Sequence, residues 1–382
     1  MPTVRDLARA LDARAPEGQK AGFDRVGLHV GDPEAPLTGV LVALDLTADV
    51  VAEAEAARAS AIVTHHPLLF RPVGRVTADD AVGGLVWRLA RAGIAHVAVH
   101  TNLDAAPDGV SVALAAALGL GDVRVLAPLD AQSGPEGGPM RLVVTYAPPA
   151  AAAAVRDALA AAGAGAIGDY RGCSFSSDGT GRFVPQEGAQ PHTGTVGEAE
   201  AAPEERIEAV VPAWRARAAV AAARRAHPYE EPVVLVQPVE GVAPREGYGA
   251  IGTLPAPLAA EAFLEHVATR LGTPALRHTA GPAEIRRVAV CGGAGLVFLP
   301  AARAAGADAF VTADVTYHRF FEALAPDGRP HLLLVDAGHY ETEAVAEALL
   351  AEAVAAAFPG VPVARTRSRT SAMHTFVASA PA

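Results

Sequence analysis

The sequence predicts an α/β protein made of two similar α/β halves that form one discontinuous domain, with a smaller α+β module inserted between them. Three observations predict it. Apolar strand-like segments alternate with helical ones over the first ~125 residues. The same order of segments returns near the end of the chain, and a central stretch of different composition separates the two.

In the first half, Val4, Leu7, Ala8 and Leu11 fall at helical spacing, so the chain is expected to begin with an amphipathic helix and not with a signal or transit peptide. Residues 40–46 (Val-Leu-Val-Ala-Leu-Asp-Leu) and 61–63 read as buried strands separated by an Ala/Glu-rich helix, and 94–99 as a third strand after a helix around 86–92. Such alternation favours a mostly parallel sheet covered by helices. The internal similarity lies in the order of segments. The early series 40–46, 60–66 and 97–104 matches the late series 288–291, 308–314 and 332–339, each joined by helices. If the halves are equivalent, both end matching strands in polar residues, where open α/β sheets usually carry their sites.

Between the halves, Gly and Pro clusters and a polar stretch at 174–202 mark a separate module. Two strand-helix units, 140–146 with 150–162 and 206–211 with 214–226, and a closing strand at 232–236 fit a split βαβ arrangement. The expected domains are thus 1–127, the insert 128–245, and 246–382, with the ends of the insert close together.

Composition narrows the function classes. The 382 residues carry a formal charge of −11, which disfavours nucleic acid as a partner because phosphate binding needs clustered cations. No apolar run approaches the roughly 20 residues of a membrane helix, so no membrane association is expected and a cytoplasmic location follows. Two cysteines, Cys173 and Cys291, are too few for a disulfide framework or a zinc ribbon, and Cys173 has no cation cluster beside it to activate it. A metal would therefore be held by His and carboxylate.

The residues that could do so fall in three segments. In Thr64-His65-His66-Pro67, neighbouring imidazoles at a strand end diverge, so they chelate one ion poorly but can each serve a different one, as in two-metal sites. One core and one surface histidine would look the same. His339 and Glu343 are one turn apart on a helix expected over 340–350, where they can share a metal or bridge two; Glu343 could equally only complement the helix N-terminus. Asp104, in His100-Thr101-Asn102-Leu103-Asp104, offers a carboxylate at a strand end or a cap for the next segment, while His100 and Asn102 suit orienting roles better than ligation. This donor set, without thiolate, suits Zn, Fe or Mn alike.

Asp314 and His318 form another i, i+4 pair and are the candidate catalytic residues: Asp314 matches His66 in the repeat, which would put it near the ions as a partner of their ligands or as a proton carrier; a helix-terminal charge and a surface histidine are equally consistent. Cys291-Gly292-Gly293-Ala294-Gly295 could present N–H groups to an anion, but reads more readily as a tight strand-to-helix turn. Gly247-Tyr248-Gly249-Ala250-Ile251-Gly252 marks re-entry into the host domain. His227-Pro228-Tyr229-Glu230-Glu231-Pro232 contains donors yet reads first as a helix end followed by an edge strand.

Together, Thr64-His65-His66-Pro67, His100-Thr101-Asn102-Leu103-Asp104, Cys291-Gly292-Gly293-Ala294-Gly295, Thr312-Ala313-Asp314 and Asp336-Ala337-Gly338-His339 with Glu343 closely resemble the GTP cyclohydrolase 1 type 2 homolog family, also called Nif-three-like dinuclear metal centre proteins. The insert, through Gly168-Asp169-Tyr170, Cys173-Ser174-Phe175, Gly179-Thr180-Gly181, Pro185-Gln186-Glu187-Gly188 and His227-Pro228-Tyr229-Glu230-Glu231, looks like that of the longer bacterial members, whose extra domain resembles the PII and CutA proteins. The resemblance implies two divalent ions on His65, His66, Asp104, His339 and Glu343, with Glu343 bridging. It also implies a homohexameric ring with the sites facing an interior space and the inserts at the ring's ends. One departure is Arg25, after Asp24, where the family commonly has Asn; this leaves the anchoring of that loop open. The family name implies hydrolytic opening of a guanine ring, with Asp314 or His318 moving protons, and the expected function is a metal-dependent hydrolase on a nucleotide-like or heterocyclic substrate. The alternative is a metal-trafficking or metal-insertion protein without turnover.

Overall fold

The protein is seen in a computed structural model that describes residues 1–129, 140–242, 245–325 and 327–376. These residues form two compact units, 1–127 with 246–382 and 128–245. Among the described residues, no helix is long and apolar enough to cross a membrane.

The first unit starts with helix Val4–Arg14, whose start is set by a reciprocal cap: the Thr3 hydroxyl accepts the Asp6 N–H, and the Asp6 carboxylate accepts the Thr3 N–H. The helix buries Val4, Leu7 and Leu11. Behind it lies a five-stranded sheet in the order Gly27–Val30, Ala95–Ala98, Ala61–Thr64, Val40–Ala43, Val363–Arg365. All of its pairs are parallel except that of the edge strand Gly27–Val30. A second, six-stranded sheet has the order Arg277–His278, Leu333–Asp336, Ala309–Thr312, Glu284–Val290, Gly247–Ala259, Gly121–Pro128. It repeats the first: three parallel strands and a short antiparallel edge strand beside the last of them. The duplication read from the order of segments is thus a duplication of topology.

Strand periodicity explains the layers. Along Val40–Ala43, Val40 and Val42 face one core while Leu41 and Ala43 face another. In the second sheet, Val288, Val290, Val311 and Val335 share one core, and Ala289, Phe310 and Leu334 the opposite one. Both faces are covered, as parallel strands require. Helices Ala48–Ala56 and Ala81–Ala92 contribute Val50, Val51 and Leu89 to the outer core of the first sheet, and helix Leu299–Ala304 lies on the outer core of the second. Helices Val110–Ala117 and Val345–Ala357 supply side chains to both inner cores, Val110 with Ala346 and Leu350 in one, Leu114 with Val345 in the other. The C-terminal strand Val363–Arg365 then joins the sheet of the N-terminal half. The two halves are interleaved, and neither closes its core alone.

The second unit is a four-stranded antiparallel sheet in the order Phe175–Phe183, Glu200–Pro212, Met140–Ala147, Val234–Val239. Helices Pro149–Ala161 and Ala216–Ala226 share its apolar core through Val155, Leu159, Ala219 and Ala223. The chain order βαββαβ is the split βαβ pattern. Strand Phe175–Phe183 falls in the stretch 174–202, whose sequence reads only as polar. It lacks an apolar alternation because it is an exposed edge, held by backbone pairing along Glu200–Pro212 and not by buried side chains. Likewise, the segment expected only to mark re-entry is a 13-residue strand, Gly247–Ala259.

The strands on either side of the second unit, Gly121–Pro128 and Gly247–Ala259, are neighbours in the six-stranded sheet. Replacing residues 128–245 by a short Gly/Ser linker should therefore leave a protein that unfolds cooperatively, checked by thermal denaturation followed by circular dichroism; an insoluble product would contradict the insertion. Phe310, fully buried on a central strand, should cost about 3–5 kcal/mol when cut back to Ala, read as a lower urea midpoint for the truncated chain.

Candidate metal centre

The polar residues that end the parallel strands of both halves meet at one place, the carboxyl edge of both sheets. Strand Ala61–Thr64 ends at the His pair, and the ladder continues just far enough to hold it: the His65 and His66 N–H groups donate to Ala43 O (3.3 Å) and Leu44 O (2.9 Å). The Thr64 hydroxyl donates to the His66 carbonyl at 2.6 Å and accepts from His96 Nε2 at 2.8 Å, pinning the turn before Pro67. Asp104 ends the short helix Thr101–Asp104, and His339 and Glu343 bound the helix His339–Glu343.

Glu343 lies at the centre, with its side chain only 5% exposed. Its Oε2 accepts from His66 Nε2 and from His339 Nε2, both at 2.9 Å. Its Oε1 faces His65 Nε2 at 3.9 Å, and Asp104 Oδ1 lies 3.6 Å from the same nitrogen. Two donor groups result, His65 with Asp104 and Glu343, and His66 with His339 and Glu343, the ligand atoms of each lying within 4.8 Å of one another. The imidazole centroids of His65 and His66 are 5.1 Å apart, with His65 in the first of these groups and His66 in the second.

Each ring is turned by a partner on its other nitrogen. His65 Nδ1 donates to Val99 O at 2.9 Å, His66 Nδ1 to Asp45 Oδ1 at 2.7 Å, and His339 Nδ1 to Asp314 Oδ2 at 2.7 Å. Such partners fix the tautomer and aim Nε2 inward. Asp314 is placed for this by a left-handed backbone turn, φ 55°.

The electrostatics follow from burial and charge. Burial holds His65 neutral, its pKa down at about 3. His66 and His339 are also penalised by burial, but bonds to Asp45 and Glu343 push His66 up to about 10, and those to Glu343 and Asp314 push His339 up to about 9. Those same two imidazoles hold Glu343 well below the carboxylate range against its burial. Asp104 is pushed up by burial first and by the charge of Glu343 second. Protons on two rings thus sit where cations would bind, and ligation requires their loss.

Whether a metal fits can be judged from His65. Its Nε2 is buried and has no hydrogen-bond partner among the described residues. A neutral ring that donates through Nδ1 presents a lone pair there, and that lone pair faces two carboxylates; a cation between them would satisfy all three. Gly293 keeps the space open, since a Cβ at this residue, itself at φ 58°, would collide with Glu343 Oε1 and come within 3.1 Å of His339 Nε2. Cys291 adds no thiolate, because burial and then the charge of Asp104 raise its pKa. The donor set is nitrogen and oxygen only.

The remaining expected site residues divide. His100 donates through Nδ1 to Asp24 Oδ1 at 2.9 Å, and its ring forms a third group of donors with His65 and His66, so it borders the centre more closely than an orienting role requires. Asn102 donates through Nδ2 to Ala15 O at 2.6 Å and ties down the end of the first helix. His318 is exposed and packs edge-on against Tyr317, and it belongs to none of the donor groups. The expected i, i+4 pairing with Asp314 fails because Asp314 occupies its own turn ahead of the 3-10 helix Tyr317–Ala323. The glycine run is a turn: the Gly293 and Gly295 N–H groups donate to Thr342 and Thr312 hydroxyls at 3.0 and 2.9 Å. The Asp24 loop is anchored through Asp24 itself, which accepts from Thr101 N, Thr101 Oγ1 and Arg25 N, so the Arg25 side chain is not needed. Asp45 and Asp24 were missed as orienting carboxylates. The available signal for Asp45 was a lone acid closing the apolar run 40–46.

Comparison with known proteins places this geometry. Residues 2–371 match the family model Duf34/NIF3 (NGG1p interacting factor 3). Curated relatives include two proteins named GTP cyclohydrolase 1 type 2 homolog. That of Mycobacterium tuberculosis is 41% identical over 346 residues, 88% of this chain and 87% of the relative. That of Bacillus subtilis is 36% identical over 343 residues, 89% of each. A crystal structure of a Bacillus cereus protein related to NIF3 superposes with a TM-score of 0.79 at 35% identity, covering 98% of this chain and 99% of that one. With the fold, the doubled topology and the sequence match in agreement, the chain belongs to the DUF34/NIF3 family.

Proposed function

We propose that the chain binds two divalent cations, bridged by Glu343, and uses them as a metal-dependent hydrolase acting on a nucleotide-like or heterocyclic substrate. The observation that carries the first part is the division of labour within Glu343: one oxygen belongs with His66 and His339, the other with His65 and Asp104. A bridging carboxylate with an imidazole on each side suits paired ions. Nitrogen and oxygen donors without thiolate suit Zn, Fe or Mn. When bound, such ions supply Lewis acidity.

The chain's own residues support hydrolysis in two ways. Glu343 and His65 are buried whereas His339 and Asp314 are 33% and 49% exposed, so the centre opens to solvent on the His339 side. Asp314, holding the His339 Nδ1 proton at that opening, is placed to exchange protons with a substrate. The name GTP cyclohydrolase 1 type 2 homolog carried by the relatives supports a purine nucleotide as the first substrate to try. The second reading, a metal-trafficking or metal-insertion protein, is favoured by that same exposure, since an acceptor's ligands could reach the His66–His339 group. The reading includes self-association into a homohexamer in the cytoplasm. Exposed Val297, Tyr317 and Phe321 on the C-terminal half supply apolar surface for it.

Elemental analysis of gently purified protein should find about two divalent ions per chain. His339→Ala and Glu343→Ala should lower occupancy at both positions, whereas Asp314→Ala should keep the metal and lose about 10–100-fold in turnover. Equal metal loss in all three variants would put Asp314 among the ligands. After anaerobic reconstitution with Zn, Fe or Mn singly, a nucleotide pool screened by mass spectrometry should show substrate consumption with at least one ion. Absence of turnover with every ion, together with metal transfer to an apo acceptor, would establish the carrier instead.

A further inference from the structure

The second unit contains a cavity of about 330 Å³ that the metal chemistry leaves unexplained. Its size is that of a small-molecule site. It is built from the end of strand Phe175–Phe183, the connection that follows it, and the His227-Pro228-Tyr229-Glu230-Glu231 segment.

The Tyr229 ring forms the wall and is fixed on several sides. Its hydroxyl donates to Glu204 Oε1 at 2.9 Å, and its backbone N–H donates to His227 Nδ1 at 3.1 Å. His227 Nε2 in turn donates to the Tyr146 carbonyl at 2.8 Å, and the His227 and Tyr229 rings meet edge to face at 4.8 Å. Phe183 and His192 bring two further rings to 6.4 and 5.9 Å from Tyr229. The connection is tied over the cavity by the Gln190 N–H donating to Glu230 Oε1 at 2.9 Å. Gly181 leaves room for the carboxylate in this position, as a Cβ there would lie 2.5 Å from Glu204. The walls are therefore ordered before any ligand arrives.

Charge selects the ligand. Three carboxylates, Glu204, Glu230 and Glu231, line the cavity against one guanidinium, Arg182. Glu231 engages no hydrogen bond or ion pair with its side chain among the described residues, so its charge is uncompensated. Aromatic faces attract cations through the ring quadrupole, and nearby carboxylates add to that attraction. An anionic nucleotide would meet the wrong sign of charge on three sides.

We propose that this cavity binds a small organic cation, a primary amine or guanidinium on a compact body. The ring of Tyr229 receives the body or the cationic head, and Glu231 neutralises the charge. The site is independent of what the metal centre does.

Isothermal titration of the full-length protein with agmatine and with tyramine tests this, with adenosine monophosphate as the anionic counterpart. Saturable binding of at least one amine is expected, weakened about tenfold by Glu231→Gln and lost in Tyr229→Leu, with no binding of the nucleotide to this unit. Glu231→Gln changes one exposed side chain, so it reports on the charge without risk to folding. Failure of both amines to saturate, binding unchanged in both variants, or displacement of a bound amine by the nucleotide would overturn the proposal.

Discussion

A single buried carboxylate organises this protein. Glu343 is removed from water, and a charge so placed persists only when it is paired and fully hydrogen-bonded. One partner, His339, lies four residues away, but the other imidazoles, His65 and His66, come from the far end of the chain, more than two hundred residues away in sequence. Both halves must therefore be folded and docked before the charge is fully compensated. The interleaving provides for this, since helix Val345–Ala357 continues directly from the helix that carries Glu343 and packs Ala346 and Leu350 into the core of the N-terminal sheet.

Around that carboxylate the same solution recurs. Every inward-facing imidazole spends its second nitrogen on a fixed acceptor, a carbonyl for His65 and carboxylates for His66, His100 and His339. The acceptors come from strand ends and turns, so the sheets determine ring orientation. Asp45 shows how far this reaches, for it also accepts from the Thr370 hydroxyl near the end of the described chain. Donors placed this way are already oriented for any cation that binds, and two of the rings would first have to give up protons.

The inserted unit follows a different logic. Its sheet is antiparallel and partly exposed, with an edge strand of mostly small and polar residues, and a cavity in it is walled by rings and acids. Aromatic faces and carboxylates select a different class of ligand from one that needs nitrogen and oxygen donors around a metal. The two strands that flank the module, Gly121–Pro128 and Gly247–Ala259, are neighbours at the edge of the six-stranded sheet, so the insertion leaves the parallel strands of the first unit unbroken.

Local pattern in the sequence was enough for the class of the fold, the doubled order of strands, and the residue types at the centre. Runs such as 40–46 and 332–335 declare buried parallel strands because both faces must be apolar, and the His pair, Asp104, His339 and Glu343 stand out as polar residues at the ends of such runs. Strand Phe175–Phe183 escaped because an exposed edge needs no apolar period. The roles of Asp45 and Asp24, the failure of His318 to join Asp314, and the diversion of Asn102 to Ala15 were decided by tertiary structure alone. The physical reason is that a residue's type and spacing report its own backbone and burial. Which nitrogen faces which oxygen depends on how elements hundreds of residues apart are packed, and only the closed core determines that.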